Sequence, residues 1–252
     1  MNRIDLTGKV AVVNGASRGI GEAIAKGLAA CGAQLVLSSR SRESLQKVVD
    51  EIVADGGKAV ARVCHAGHLD EIQSLFEFVD TEFGRLDILV NNAATNPYYG
   101  PASGLSAKAF DKTVEVNLKG PYFMISSAVP LMAKSGGGSI VNVASIAALI
   151  PPPGQAVYAM TKAGLVSITR SFAREYGVQG IRVNAILPGV VETRFASAMI
   201  EDPGVQKWLS RTPAGRAGQP GEMVGGVLYL VSDQAAYTTG TTLVMDGGAT
   251  LG

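Results

Sequence analysis

Short runs of apolar residues alternate with longer amphipathic segments along almost the whole chain. The short runs are rich in Val, Ile, Leu and Ala, which is typical of buried strands. The longer segments repeat apolar residues every three or four positions, which is typical of helices with one buried face. The predicted strands are residues 9–13, 34–37, 59–64, 87–90, 139–144, 181–186 and 242–245, and the predicted helices are residues 22–31, 44–55, 69–83, 106–135, 158–176 and 221–232.

This order of elements defines the expected fold. Alternating strands and helices predict an α/β fold, a doubly wound parallel sheet of the Rossmann type. We expect helix 106–135 to bend near Gly120 and Pro121, because proline breaks the backbone hydrogen-bond ladder. The sequence has no obvious linker or repeat, so we expect residues 1–252 to form a single domain. Ligands bind such sheets beyond the carboxyl ends of the strands, so functional residues are expected directly after them.

Composition and charge narrow the possible partners. Hydrophobic residues make up 47% of the chain, charged residues make up 17%, and the formal net charge is +1. Because the Lys and Arg residues form no basic run, we expect no binding to nucleic acid or to an anionic membrane surface. No stretch of about 20 apolar residues predicts a transmembrane helix. Cys31 and Cys64 lack the spacing of a metal or redox site, so we expect reduced thiols and a cytoplasmic location.

A glycine-rich turn follows the first predicted strand. Residues 14–21 read Asn-Gly-Ala-Ser-Arg-Gly-Ile-Gly and lead directly into a helix. Such a turn is either only a tight connection or a phosphate site, where free N–H groups and the positive end of the helix dipole face a pyrophosphate. Its place at the first strand–helix junction favours a dinucleotide site. The expected contacts are Gly15, Ser17, Arg18, Gly19, Ile20 and Gly21.

The end of the second strand bears on the choice of cofactor. NAD sites commonly have an acidic residue there that binds the adenosine ribose. This chain has Ser39 and Arg40 instead. Together with Arg18, Arg40 would match the oxygens of a 2′-phosphate, although both arginines are also compatible with ordinary exposed side chains. We therefore expect NADP(H) in preference to NAD(H).

A tyrosine, a lysine and a serine form the candidate catalytic set. Tyr158 and Lys162 are four residues apart in a predicted helix, so they lie on one face. A phenol has a pKa near 10, and a neighbouring ammonium stabilises the phenolate, so we expect Lys162 to lower the pKa of Tyr158. Ser145 follows strand 139–144 and would hydrogen-bond a substrate oxygen on which charge develops.

Together these motifs resemble the short-chain dehydrogenase/reductase family over essentially the full length of the chain. The matching residues are Gly15, Gly19, Gly21, Asn91, Asn92, Ala93, Ala94, Asn117, Ser145, Tyr158, Lys162, Pro188, Gly189 and Thr193. The resemblance implies an oxidoreductase that transfers a hydride between a nicotinamide cofactor and a carbonyl or alcohol. Tyr158 would be the acid in reduction and the base in oxidation, Ser145 would orient the carbonyl, and Lys162 would also bind the nicotinamide ribose.

The resemblance also implies the remaining roles. Asn117, at the expected helix bend, would hold a water that links Lys162 to solvent, and Asn91 would steady the sheet beside the adenosine. The other expected cofactor contacts are Ala93, Pro188, Gly189, Val191 and Thr193. The end of the chain resembles the family's tetramer-forming C-terminus, so we expect a homotetramer.

Two positions depart from the family pattern. Asn14 stands where the family usually has Thr, and we expect its short polar side chain to bond the glycine turn. Cys64-His65-Ala66 stands where the family usually has an Asp that contacts adenine, which leaves that contact open. His65 and His68 would suit a metal, but no cluster of partners lies nearby in the sequence, so we expect no metal.

The substrate side has a finer resemblance. Residues 91–100 and 63–65 resemble NADPH-dependent carbonyl reductases of the peroxisomal retinal-reductase type, although residues 250–252 are not a peroxisomal address. Residues 190–216 are expected to form a small helical substrate lid. Apolar residues that would line the pocket, or only pack the lid, are Phe195, Met199, Trp208 and Leu209, with Tyr98 and Tyr99 opposite.

Several functions share these residues. The favoured one is NADPH-dependent reduction of ketones or aldehydes. A 3-oxoacyl-thioester reductase and an NAD-dependent alcohol dehydrogenase remain open alternatives. A regulator that binds the dinucleotide without turnover is disfavoured, because such proteins typically lose the tyrosine or the lysine.

Overall fold

One parallel sheet forms the centre of the protein. The structure, a computed structural model, describes residues 4–251, apart from the side chain of Ala198. Within that range the strands are β1 (Val10–Asn14), β2 (Gln34–Ser39), β3 (Lys58–Val63), β4 (Ile88–Asn91), β5 (Gly138–Val143), β6 (Ile181–Pro188) and β7 (Thr242–Met245). Neighbouring strands pair in parallel in the order β3-β2-β1-β4-β5-β6-β7. The predicted doubly wound sheet is confirmed.

Helices connect the strands. Within the described residues they are α1 (Gly19–Ala30), α2 (Arg42–Ala54), α3 (Leu69–Phe83), α4 (Ala107–Val114), α5 (Gly120–Lys134), α6 (Ala156–Tyr176), α7 (Ser197–Ile200), α8 (Pro203–Leu209) and α9 (Val224–Val231). The short helices α7 and α8 lie in the segment that the sequence predicts as a lid. None of the helices in residues 4–251 has the length and apolar character needed to cross a bilayer.

Both faces of the sheet are covered. Successive residues of a strand point to opposite faces, and Val12 and Val13 are both fully buried. Val13 belongs to a core formed with α1, α2 and α9, whereas Val12 belongs to a core formed with α3, α5 and the end of α6. This explains why the central strands are continuously apolar rather than alternating. The result is a single domain.

The strand order reverses between β1 and β4. Their last residues, Asn14 and Asn91, are neighbours in register, and Asn91 is in turn paired with Asn142 of β5. In doubly wound sheets this switch point opens a crevice at the carboxyl ends of the strands. The fold therefore places three asparagine side chains next to the expected ligand site.

The long predicted helix 106–135 differs from expectation in its middle. Residues Glu115–Lys119 form a π-helical turn between α4 and α5, immediately before the bend predicted at Gly120 and Pro121. An α-helix would direct the N–H of residue 121 at the carbonyl of Asn117, but proline has none. The chain widens there instead, and Gly120 N–H bonds the carbonyl of Glu115 five residues back.

Candidate active site

A cavity of about 1420 Å³ opens at the carboxyl ends of the strands. Sites for single small ligands commonly span about 300–1,000 Å³, so this cavity has room for a dinucleotide and a substrate together. The predicted site residues that line it are Gly15, Ser17, Arg18, Gly19, Ile20, Ser39, Arg40, Ala93, Ser145, Tyr158, Lys162, Pro188, Gly189, Val191 and Thr193. Three others, Gly21, Asn91 and Asn117, are not among the lining residues and support the wall from behind.

The glycine turn is closely packed against the loop after β4. Gly15 has φ +75°, and a Cβ there would lie 2.7 Å from the backbone nitrogen of Ala93. A Cβ on Gly21 would collide with the carbonyl oxygen of Gly15 and with the Asn92 side chain. Asn92 Nδ2 donates to the Gly15 carbonyl at 2.9 Å. This narrow cradle at the start of α1 fits a pyrophosphate, and Asn92 is a supporting residue to which the sequence assigned no role.

The asparagines behind the turn form a partly satisfied network. Asn91 Nδ2 donates to Asn142 Oδ1, and Asn142 Nδ2 donates to Thr169 Oγ1, both at 2.9 Å. These two hydrogen bonds join β4, β5 and α6, which agrees with the expected role of Asn91 in steadying the sheet. Asn14 differs from expectation, because its buried Oδ1 has no hydrogen-bond partner among the described residues. The turn is held instead by Ser38, whose carbonyl accepts from the N–H groups of Gly15 and Ala16.

Two arginines and a serine line the cavity where the sequence predicts the adenosine end of the cofactor. Arg18 and Arg40 are exposed, and neither forms an ion pair with a carboxylate among residues 4–251. Ser39 Oγ donates to the carbonyl of Ser41 at 3.3 Å. Guanidinium groups without a carboxylate partner fit a phosphate ester, whose oxygens match their donors.

The histidines after β3 meet a glutamate that the sequence did not connect with them. Ligand atoms of His65, His68 and Glu115 lie within 4.8 Å of one another. Lys112 Nζ, however, is 3.0 Å from His65 Nε2 and 3.2 Å from a carboxylate oxygen of Glu115. Its ammonium thus takes the position that a cation would need, and burial followed by the charge of Lys112 lowers the pKa of His65. The absence of a metal remains our prediction.

Ser145, Tyr158 and Lys162 all line this cavity. Ser145 lies two residues after the end of β5. Its Oγ accepts a hydrogen bond from the N–H of Ala147 at 3.1 Å, so the hydroxyl proton of Ser145 is available to the Tyr158 hydroxyl. Lys162 Nζ lies 5.6 Å from the centroid of the Tyr158 ring. The same ammonium donates to the carbonyl of Val143 at 2.7 Å. The structure therefore brings together the three residues that the sequence selected.

The pKa of Tyr158 moves in the opposite direction from the one expected. Burial raises it to about 12, and the hydrogen bond from Ser145 opposes this only in part. Burial also lowers the pKa of Lys162 to about 8. The expectation that Lys162 lowers the Tyr158 pKa treated the pair without the low-dielectric surroundings that disfavour both charged forms. At neutral pH Tyr158 is consequently a protonated phenol, which is able to donate a proton.

Asn117 connects the π-helical turn to α6, the helix that carries Tyr158 and Lys162. It is fully buried, and its side chain accepts from the N–H of Thr95 and donates to the carbonyl of Thr95, both at 2.8 Å. Its Nδ2 also lies 3.3 Å from Thr161 Oγ1, next to Lys162. The side chain thus fixes the loop after β4 against α6. The water-holding role implied by the resemblance stays a prediction.

Aromatic and apolar residues form the end of the cavity near the lid. Phe195 packs near Tyr158, with ring centroids 6.0 Å apart, and Tyr99, Met199 and Trp208 also line the space. Two residues named with them do not. Leu209 is buried in the lid without lining the cavity, and Tyr98 turns its hydroxyl to the carbonyl of Pro101.

Known proteins resemble the chain in both sequence and structure. A family model described as "Enoyl-(Acyl carrier protein) reductase" matches residues 15–250. The chain is 39% identical to "Dehydrogenase/reductase SDR family member 4" of Oryctolagus cuniculus, covering 98% of this chain and 95% of that protein. It is also 39% identical to "L-rhamnose 1-dehydrogenase (NAD(P)(+))" of Azotobacter vinelandii, covering 96% and 97%.

A solved structure agrees with these matches. The gluconate 5-dehydrogenase from Burkholderia cenocepacia J2315, in complex with NADP and tartrate, superimposes with a TM-score of 0.95 at 31% identity, covering 99% of this chain and 98% of that one. The similarity spans the whole sheet and both sets of helices. This chain is an oxidoreductase of the short-chain dehydrogenase/reductase family.

Proposed function

We propose that the chain reduces ketone or aldehyde carbonyls to alcohols with NADPH. The observation that carries the proposal is that Ser145, Tyr158 and Lys162 line one cavity large enough for cofactor and substrate, with the Lys162 ammonium 5.6 Å from the Tyr158 ring centroid. A phenol is protonated at neutral pH, and burial raises the pKa of Tyr158 further, so the site holds a proton that it can donate.

The reaction follows from what each side chain does. NADPH supplies the hydride when bound. Ser145 donates a hydrogen bond to the substrate carbonyl oxygen and stabilises the negative charge that develops on it. Tyr158 transfers its phenolic proton to that oxygen, so the carbonyl becomes an alcohol and the phenol becomes a phenolate. Lys162 stabilises this phenolate with its positive charge until Tyr158 regains a proton from solvent.

The arginines support NADPH over NADH. Arg18 and Arg40 are exposed and have no carboxylate partner in the part of the chain that the structure describes, so a 2′-phosphate would supply the negative charge that they lack there. No acidic residue follows β2 directly: Ser39, Arg40 and Ser41 occupy that position. A ribose with a free 2′-hydroxyl would gain less from the same residues.

Initial rates with NADPH and NADH test the proposal directly. The purified chain is assayed with monoketones, dicarbonyls and an acetoacetyl thioester, and we expect kcat/KM for NADPH to exceed that for NADH. Arg40→Ala should reduce this preference by about 10- to 100-fold, because it removes a charge-assisted hydrogen bond. Arg42→Ala, an exposed neighbour outside the cavity lining, is the matched control and should leave the preference unchanged. A preference for NADH refutes the cofactor assignment, and failure to reduce any carbonyl refutes the function.

The acetoacetyl thioester is included because a 3-oxoacyl-thioester reductase would use the same catalytic residues. Near the predicted lid the cavity is lined by the bulky side chains of Phe195, Met199 and Trp208, which favours a compact substrate over a long carrier. A kcat/KM for the thioester far above that for small ketones would favour the alternative.

We also propose a homotetramer, as the family resemblance implies. Its support is the exposed aromatic pair Tyr122 and Phe123 on α5. The cytoplasmic location remains a prediction.

A further inference from the structure

Two amide side chains, Asn96 and Gln155, lie in the substrate end of the cavity and have no part in the proton and hydride transfer described above. Asn96 belongs to the loop after β4, and Gln155 immediately precedes the catalytic helix α6. Both line the cavity. Gln155 is three residues before Tyr158, about one helical turn, so its side chain starts on the order of 5 Å along the helix from that of the proton donor.

The Gln155 side chain does not cap the helix. It occupies the N-cap position of α6, yet its side chain makes no capping hydrogen bond there. Only 8% of Gln155 is exposed, so its amide is largely shielded from solvent. A buried amide costs free energy unless it finds hydrogen-bond partners, which makes the partners of Gln155 informative.

Those partners are weak and incomplete. Gln155 Oε1 accepts from Asn96 Nδ2 at 3.3 Å, near the long end of the range, and Gln155 Nε2 points at the thioether of Met199 at 3.7 Å. A thioether is a weak acceptor. The oxygen of the Asn96 amide has no hydrogen-bond partner within the described part of the chain. In either orientation of the two amides, the pair retains at least one donor and one acceptor for a ligand.

Several apolar residues line the cavity with the pair, together with the charged Arg194 and Asp202. Ile146, Ile150, Pro151, Phe195, Met199 and Trp208 also line the cavity. A substrate with a single oxygen would direct that oxygen to Ser145 and Tyr158 and would press its hydrocarbon part against these weakly paired amides. A site with buried polar groups rejects such a substrate relative to one that pairs with them.

We propose that Asn96 and Gln155 bind a second oxygen of the substrate, on a carbon close to the reacting carbonyl. The preferred substrates are then hydroxyketones and dicarbonyls rather than simple ketones. The second oxygen accepts from an amide N–H, and a hydroxyl there also donates to an amide oxygen. This inference rests on the proposed carbonyl reduction and names its substrate class.

Three four-carbon substrates test the inference: diacetyl, acetoin and butanone. Gln155→Met keeps the length of the side chain and removes its amide. We expect kcat/KM for diacetyl and acetoin to fall about 10- to 100-fold, while kcat/KM for butanone changes little or rises. Each substrate is compared with itself in the two enzymes, so the different intrinsic reactivities of the carbonyls cancel. Met199→Leu, which replaces the apolar neighbour of Gln155, is the control and should affect the three substrates alike.

A second variant guards against a folding defect. Asn96→Leu should show the same selective loss, and the dissociation constant for NADPH verifies that each variant retains an intact cofactor site. Equal losses for all three substrates, or no loss in either variant, overturn the inference while leaving carbonyl reduction standing. A wild-type enzyme that reduces none of the three, nor any other carbonyl, refutes the proposed function and this inference with it.

Discussion

At the level of single residues, the candidate catalytic set combines a partly buried phenol, Tyr158, with a fully buried ammonium, Lys162, and the charged forms of both are disfavoured. Burial raises the pKa of Tyr158 to about 12 and lowers that of Lys162 to about 8. The uncharged phenol is the form that a reductase needs before proton transfer, and the phenolate that follows is formed beside the ammonium. The buried surroundings therefore favour the neutral phenol of Tyr158 before proton transfer, and the charge of Lys162 favours the phenolate that forms afterwards.

The phenol itself can be tested by removing one oxygen atom. Tyr158→Phe should lower kcat by at least about 10²- to 10⁴-fold, the range typical of a lost general acid, and should leave the dissociation constant for NADPH nearly unchanged. Stopped-flow measurement of hydride transfer and fluorescence titration of NADPH separate the two effects. Tyr237→Phe removes a hydroxyl from a fully exposed tyrosine and should keep wild-type rates. A Tyr158→Phe enzyme that still turns over rapidly would contradict the mechanism.

The buried ammonium of Lys162 should make the protein less stable at neutral pH. Its folded-state pKa of about 8 lies below the ordinary value of 10.5, so the unfolded chain holds this proton more tightly. The penalty is complete below pH 8, shrinks as pH rises from 8 to 10.5, and vanishes above that range. Lys162→Met should accordingly raise the free energy of unfolding at pH 7 by about 2 to 3 kcal/mol, with less gain at pH 10.

Urea unfolding of the cofactor-free enzyme at the two pH values, at one protein concentration, measures this difference. Lys47→Met, at an exposed position of α2, is the control and should shift the midpoint little at either pH. Lys162→Met should also lose activity, because the Tyr158 phenolate would form without a neighbouring positive charge. A gain that is absent at pH 7, or larger at pH 10, would contradict the assignment.

At the level of elements, the site depends on how closely the start of α1 approaches the loop after β4. Gly21→Ala places a methyl group against the Gly15 carbonyl and the Asn92 amide, both of which hold the phosphate cradle. We expect NADPH affinity to fall by about 10-fold or more and the thermal midpoint to drop, because backbone must shift to relieve the overlap. Isothermal titration and thermal unfolding measure the two effects.

The matched control is a glycine in open space. Gly225→Ala lies in α9, where a Cβ would meet nothing within 4 Å, and alanine is the better helix former. This variant should bind NADPH normally and be as stable as the wild type or slightly more so. Equal behaviour of the two variants would mean that the close approach at Gly21 does not support the cofactor site.

Elements and their order were predictable because buried parallel strands and amphipathic helices have different periodicities. Spacing along a helix likewise placed Tyr158 and Lys162 on one face. The π-helical turn at Glu115–Lys119 was not predicted. Proline at position 121 has no N–H, and the sequence alone does not show which backbone hydrogen bonds rearrange in response. The pKa of Tyr158 was predicted in the wrong direction, since spacing gives neighbours but not depth of burial. Gln155 was missed for the same reason.

At the level of the whole molecule, α5 has one face buried against the sheet and another face that exposes aromatic residues. Met124 and Ile125 are fully buried against the sheet, whereas Tyr122 and Phe123, on the same helix, are 46% and 39% exposed. The Tyr122 ring packs edge-on against Phe172 of α6, with centroids 5.2 Å apart, so the exposed aromatic surface is well supported from below. An ordered apolar surface of this kind typically marks a contact between proteins.

The proposed tetramer makes this surface an interface. Four copies of a 26.0 kDa chain should sediment at about 104 kDa. Replacing Tyr122 and Phe123 together by Glu would bury uncompensated carboxylates in a symmetric contact, so the double variant should sediment as a smaller species, a dimer where a second interface survives. Val53→Glu adds one carboxylate at an exposed valine of α2 and should leave the mass unchanged. A wild-type chain that sediments at its monomer mass at micromolar concentration, or a double variant that stays at 104 kDa, would show that this aromatic surface does not assemble the enzyme.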